Sequence, residues 1–149
     1  MSDPADPKED DLAFLESDAR PPPLAPLEHD LVEAWPSLRR KLASLLAEGA
    51  NAKDFQNRLS FVVQHIEHNM DTRQEDSLFI LVQMLTGRDY GYSTTHALMS
   101  AATCHMMAPL ADVASQERGA LLRAALTMNI SMLGLHDELS RQAQPLYED

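Results

Sequence analysis

Imidazoles, one thiol and scattered carboxylates are the groups with which this chain could hold a metal or move a proton. Five of the six imidazoles and the thiol fall in four short stretches. His65-Ile66-Glu67-His68 sets two imidazoles three residues apart on one helical face, a spacing that can hold zinc or iron. It lacks the Glu-adjacent spacing of a metalloprotease helix, and no third ligand is assigned. With Val62, Val63 and Ile66 as the buried face, Glu67 and His68 fall at its edge near a helix C-terminus, where the dipole favours a cationic His. Tyr92-Ser93-Thr94-Thr95-His96 places a phenol and an imidazole one turn apart at a helix start. Cys104-His105 offers thiol and base, but helical neighbours point about 100° apart and cannot pair. His136-Asp137, followed by Glu138, reads as a solvated helical turn. Met99, Met106, Met107, Met128 and Met132 are read as adaptable core filler rather than a soft-metal site. No bound metal or cofactor is expected.

Composition narrows the partners. The net charge of −11, from 23 acidic and 12 basic residues, leaves few cations to displace the counterions of a nucleic acid. The densest basic run is Arg39-Arg40-Lys41, too small for a nucleic-acid face or a polybasic membrane anchor. A single cysteine excludes an intrachain disulfide and a cysteine-based zinc site. No apolar run approaches the ~20 residues of a membrane span. The acidic, proline-bearing start does not resemble a secretory signal, so a cytoplasmic location is expected.

These groups must be positioned by helices. Aromatics are only 5% of a chain that is 44% apolar, and Ala, Leu and Met carry most of that volume, which favours an all-α fold. Residues 1–26, with Pro21-Pro22-Pro23 and many acids, read as a disordered tail. Leu12, Phe14 and Leu15 form one apolar island in it, the alternative there being a short docking helix. Residues 27–149 form the helical domain, a bundle of about five helices. The first runs from Leu27 to Glu48, kinked or split at Pro36 and stopped by Gly49. Asn51 is expected to cap a second through Phe55, Leu59, Val62, Val63 and Ile66. Asp71 with Gln74 reads as a capping box for a third, closed by Gly87. Ser93 or Thr94 opens a fourth that ends near Pro109. A fifth runs unbroken from Ser115 to about Arg141. Its stripe Leu121, Ala125, Met128, Met132, Leu135, Leu139 and the neighbouring stripe Leu122, Leu126, Asn129, Leu133 are both expected to face inward.

Tyr92-Ser93-Thr94-Thr95-His96 and Leu126-Thr127-Met128-Asn129-Ile130, over residues 88–142, resemble the first two signature regions of the HD superfamily, most of all its HD-GYP branch. In that family a Tyr-Thr-x-x-His stretch opens one helix, and a later helix carries His-Asp followed by Ile-Gly-Lys. The resemblance implies an HD-like helix pair holding divalent metal that activates water against phosphate esters. His96 then matches the first metal-binding His and Tyr92 the preceding aromatic. Met128 and Asn129 stand at the dyad, Ile130 is unchanged, and Ser131-Met132 replace Gly-Lys. A thioether is a poor ligand for hard metals, and an amide lacks the carboxylate's charge. The family's remaining ligands lie beyond the second signature, so the chain is expected to be a fragment with an incomplete HD-like part, which favours self-association.

Three functions compete. The first is a non-catalytic HD-like module for protein interaction or regulation in bacterial signalling. The second is an HD-GYP-type phosphohydrolase, with a cyclic dinucleotide as one candidate substrate. The third is a histidine-phosphotransfer bundle. His96-Ala97-Leu98-Met99-Ser100-Ala101-Ala102 is similar to the run around a phospho-accepting His, although Met99 and Ser100 replace its Lys and Gly. Burial of His96 separates them, because a phospho-acceptor must stand exposed on a convex face.

Overall fold

The computed structural model describes residues 30–87 and 91–142. The expected tail, residues 27–29 and residues 143–149 lie outside the described residues. Those described form an all-helical bundle: α1 (Leu31–Glu48), α2 (Phe55–Thr72), α3 (Gln74–Thr86), α4 (Tyr92–Met107), α5 (Ser115–Thr127) and α6 (Leu133–Arg141). Single 3-10 turns, Gly49–Asn51 and Ile130–Met132, follow α1 and precede α6. Among the described residues no helix is long and apolar enough to cross a membrane.

α4 packs against all five other helices. Its buried side chains are mostly small: Ser93, Thr94, Thr95, Ala97, Ala101 and Ala102 beside Leu98. The larger core side chains come from its neighbours, with Trp35, Leu42 and Leu45 from α1, Ile66 and Met70 from α2, Leu81 from α3, and Leu122 and Leu126 from α5.

Several local expectations change. Pro36 lies inside α1 without splitting it. The proline removes one N–H, and the acceptor that loses it is the carbonyl of Val32, an exposed residue near the start of the helix. α1 starts where the Asp30 carboxylate accepts the Val32 N–H at 2.9 Å. It stops at Gly49, whose φ of 53° suits glycine. Asn51 does not cap α2. It ends the 3-10 turn, and Asp54 takes the N-cap position in a left-handed conformation. Nor do Asp71 and Gln74 form a capping box. α2 continues through Thr72, and the chain turns at Arg73. The Asp71 carboxylate instead accepts from His105 Nε2 at 2.8 Å, joining the C-terminal turns of α2 and α4.

The largest departure concerns the fifth helix. It ends at Thr127, Asn129 leaves helical geometry at φ −110° and ψ 19°, and the chain resumes as α6. Leu122, Ala125 and Leu126 are buried as expected, but the second half of the long stripe is not: Met128 is 55% exposed, Met132 43%, Leu135 51% and Leu139 37%. The break lets α6 return to the start of α4. There Ser93 Oγ donates to the Leu133 carbonyl at 3.1 Å, and Asp137 Oδ1 accepts the Ser93 N–H at 2.8 Å.

His65 belongs to the core. It is 2% exposed, donates from Nδ1 to the Phe61 carbonyl at 2.8 Å and lies 3.8 Å from the Phe61 ring. Burial holds its pKa below the ordinary value of 6.5, despite the opposing bond to Phe61, with Lys41 and His68 adding to the lowering. The unfolded chain therefore takes up a proton there before the folded chain does, so the contribution of His65 is fully present above about pH 6.5 and is lost as pH falls toward the folded value. Urea unfolding between pH 7.5 and 5.5 should show stability decreasing with acid. His65→Leu should flatten that slope, and an unchanged slope would show that other groups set it.

Candidate functional site

A cavity of about 540 Å³ is lined by Tyr92 and His96 of α4, by Asn129 at the helix break, and by His136, Leu139 and Ser140 of α6. Tyr92 and His96, one turn apart, stack with ring centres 5.5 Å apart. Asn129 reaches the cavity because the chain leaves α5 just before it, and α6 folding back supplies the opposite wall. Three of the four residues singled out by the family resemblance thus line one cavity. Met128 is not among its lining residues and is more than half exposed. His136, read from sequence as part of a solvated turn, is a wall residue.

Asp137 also departs from that reading. Gly91, at the N-cap of α4, has no side chain to bind the free amides of the first turn, and the Asp137 carboxylate takes the Ser93 N–H from another helix. Negative charge at a helix N-terminus is favoured by the dipole, so Asp137 both caps α4 and fixes the far wall of the cavity. The Arg39 guanidinium also approaches Gly91: a side chain there would begin 3.5 Å from Asp137 Oδ2 and 3.7 Å from Arg39 Nη1.

The walls offer two imidazoles, a phenol, an amide and a hydroxyl, and no carboxylate among the described residues. Such a set can hydrogen-bond a neutral or anionic group, whereas Mg²⁺ or Mn²⁺ needs oxygen ligands of higher charge. His96 is half-buried in this concavity, a poor position for an imidazole that must meet a partner protein's phosphoryl group.

The other sequence candidates do not converge. His65 is in the core and His68 is exposed, so the two do not share a site. Cys104 packs half-buried against the core while His105 turns to Asp71, and thiol and base do not form a dyad. Among the described residues no group of three His, Cys, Asp or Glu side chains could hold a metal ion. Sequence reasoning missed a groove of about 530 Å³ between α1 and α2, whose lining includes Arg40, Lys41, Arg58, Phe61 and Val62. Arg40 and Lys41 were visible as a basic run. Arg58 and Phe61 come from the next helix, and only the tertiary pairing joins them.

Asp137→Ala should destabilise the chain by about 1 kcal/mol, the usual worth of an N-cap. Amide exchange should accelerate first at Ser93 to His96, and Asp137→Asn, which keeps an acceptor oxygen, should lose less. Equal exchange in all three proteins would remove the capping role. Compared with known proteins, the chain matches no protein-family model, no curated protein and no solved structure, so its sequence and geometry are the grounds on which function is read.

Proposed function

We propose that this chain is a non-catalytic, HD-like helical module that acts in bacterial signalling through contact with a protein, including a second copy of itself. The observation that carries this reading is the exposed apolar surface of Met128, Met132, Leu135 and Leu139. Leu135 and Leu139 stand one turn apart on α6, Met132 precedes its first residue, and Met128 lies across the break. An isolated exposed leucine is ordinary, but four large apolar side chains exposed over residues 128–139 are the kind of surface a partner covers. No residue of α6 is fully buried; Leu133 packs part-buried against the core, and Leu135 and Leu139 stay exposed.

The HD-like part of the reading is supported by Tyr92, His96 and Asn129 lining one cavity. The non-catalytic part rests on the residues at the dyad, a thioether directed elsewhere and a neutral amide. The phosphotransfer alternative gains nothing from a half-buried His96 in a concavity.

Sedimentation across a concentration series, together with capture of partners from a bacterial lysate, tests the contact surface. Leu135→Glu and Met132→Glu should each weaken association by about tenfold or more, because each places a charge in an apolar contact. Association undiminished by both variants would exclude this face. Elemental analysis after chelator-free purification tests the catalytic alternative. A full equivalent of Mn, Fe or Zn that disappears in His96→Ala, with phosphodiesterase turnover, would overturn the non-catalytic reading.

A further inference from the structure

The α1–α2 groove has a chemistry unlike the rest of this acidic chain. Phe61 and Val62 give it apolar lining, and Lys41 Nζ stands 4.6 Å from the centre of the Phe61 ring. Its lining carries three cations and one carboxylate, Asp54, which accepts from Asn57 Nδ2 at 2.7 Å. Arg58 is satisfied, with Nη1 and Nη2 donating to the two Glu48 carboxylate oxygens at 2.7 and 2.8 Å, and that pairing pulls the Glu48 pKa down to about 2. Arg40 and Lys41 form no ion pair among the described residues, and both are exposed. The groove therefore offers an apolar seat beside two unneutralised positive charges. Its volume lies within the range of about 300–1,000 Å³ that holds drug-sized ligands or a few side chains.

A segment with the complementary pattern precedes α1 in the same chain. Residues 1–29 carry eight acidic residues against Lys8 and Arg20. Within them Leu12, Phe14 and Leu15 are bracketed by Glu9, Asp10 and Asp11 on one side and by Glu16 and Asp18 on the other. Fifteen residues connect Leu15 to Asp30, enough covalent length for about 50 Å. From Asp30 to Lys41 and Ser44 the distance along α1 is about 16–21 Å at 1.5 Å per residue. The segment can reach the groove within one molecule, where tethering gives it an effective concentration in the millimolar range.

We propose that the acidic segment Glu9 to Asp18 occupies the α1–α2 groove, with Leu12, Phe14 and Leu15 against Phe61 and Val62 and its carboxylates beside Arg40 and Lys41. The groove is then a docking site for the chain's own segment. This contact is independent of the α6 surface and of the function proposed for it.

Carbodiimide cross-linking of the full-length chain at low concentration tests the contact, since it joins a carboxylate to an amine only when the two already touch. Mass spectrometry should find Lys41 joined to Glu9, Asp10, Asp11, Glu16 or Asp18 within monomers. The yield should fall by about tenfold in Phe14→Ser, which removes the burial of a ring. It should also fall in Arg40→Glu and in 1 M salt, where screening shortens to about 3 Å. Circular dichroism shows that each variant keeps its helices before yields are compared. Three results would overturn the proposal: no such cross-link while Lys41 remains open to acetylation, a yield indifferent to Phe14→Ser, or cross-links found only between two copies.

Discussion

Close approach to α4 is the constraint on which the rest of the bundle depends. A helix touched by five others can present bulk to none of them, so its inward positions carry Ser93, Thr94, Thr95, Ala97, Ala101 and Ala102. The surrounding helices supply the volume, and close packing then fixes where each one lies. Threonine and serine remain compatible with burial because their hydroxyls return to carbonyls, Thr95 Oγ1 to Gly91 at 2.9 Å and Ser93 Oγ to Leu133 at 3.1 Å. The second of these bonds, with the Asp137 bond to the Ser93 amide and the packing of Leu133, ties α6 to the bundle. The cavity therefore owes its far wall to the same thin helix that supplies its near one.

Charge is distributed unevenly around this frame. The Glu48–Arg58 ion pair and the Asp71–His105 hydrogen bond join consecutive or packed helices near their ends, where such polar contacts fix orientation more than they add stability. The apolar interior carries the stability. The exceptions that matter are buried or desolvated polar groups. His65 is held neutral against Phe61, and burial raises the pKa of the Glu67 carboxyl although His105 and Arg123 pull it down.

The all-helical class, the stops at Gly49 and Gly87 and the start at Ser115 were legible in the sequence, because they follow from apolar periodicity and from residues acting locally. Two misread carboxylates share one cause. Asp71 and Asp137 each carry a carboxylate that local rules assign to a cap or to solvent, and each is claimed by a distant helix, by His105 and by the Ser93 amide respectively. The unbroken fifth helix failed in the same way. Periodicity extends the stripe through Met128 and Met132, but the bonds from Ser93 and Asp137 are satisfied only if the chain leaves the helix near Asn129. At the candidate site, Tyr92, His96 and Asn129 were legible as a group, whereas His136 became a wall residue only through that same break.

The junction at Asn129 also sets a mechanical property. No side chain of α6 is fully buried; Leu133 packs part-buried against the core, and Ser93 bonds to Leu133 and Asp137. α6 is thus the helix with the least burial to hold it, and local opening costs least where few apolar side chains are enclosed. Because α6 supplies His136, Leu139 and Ser140 to the cavity and Leu135 and Leu139 to the exposed apolar surface, such opening would act on both together.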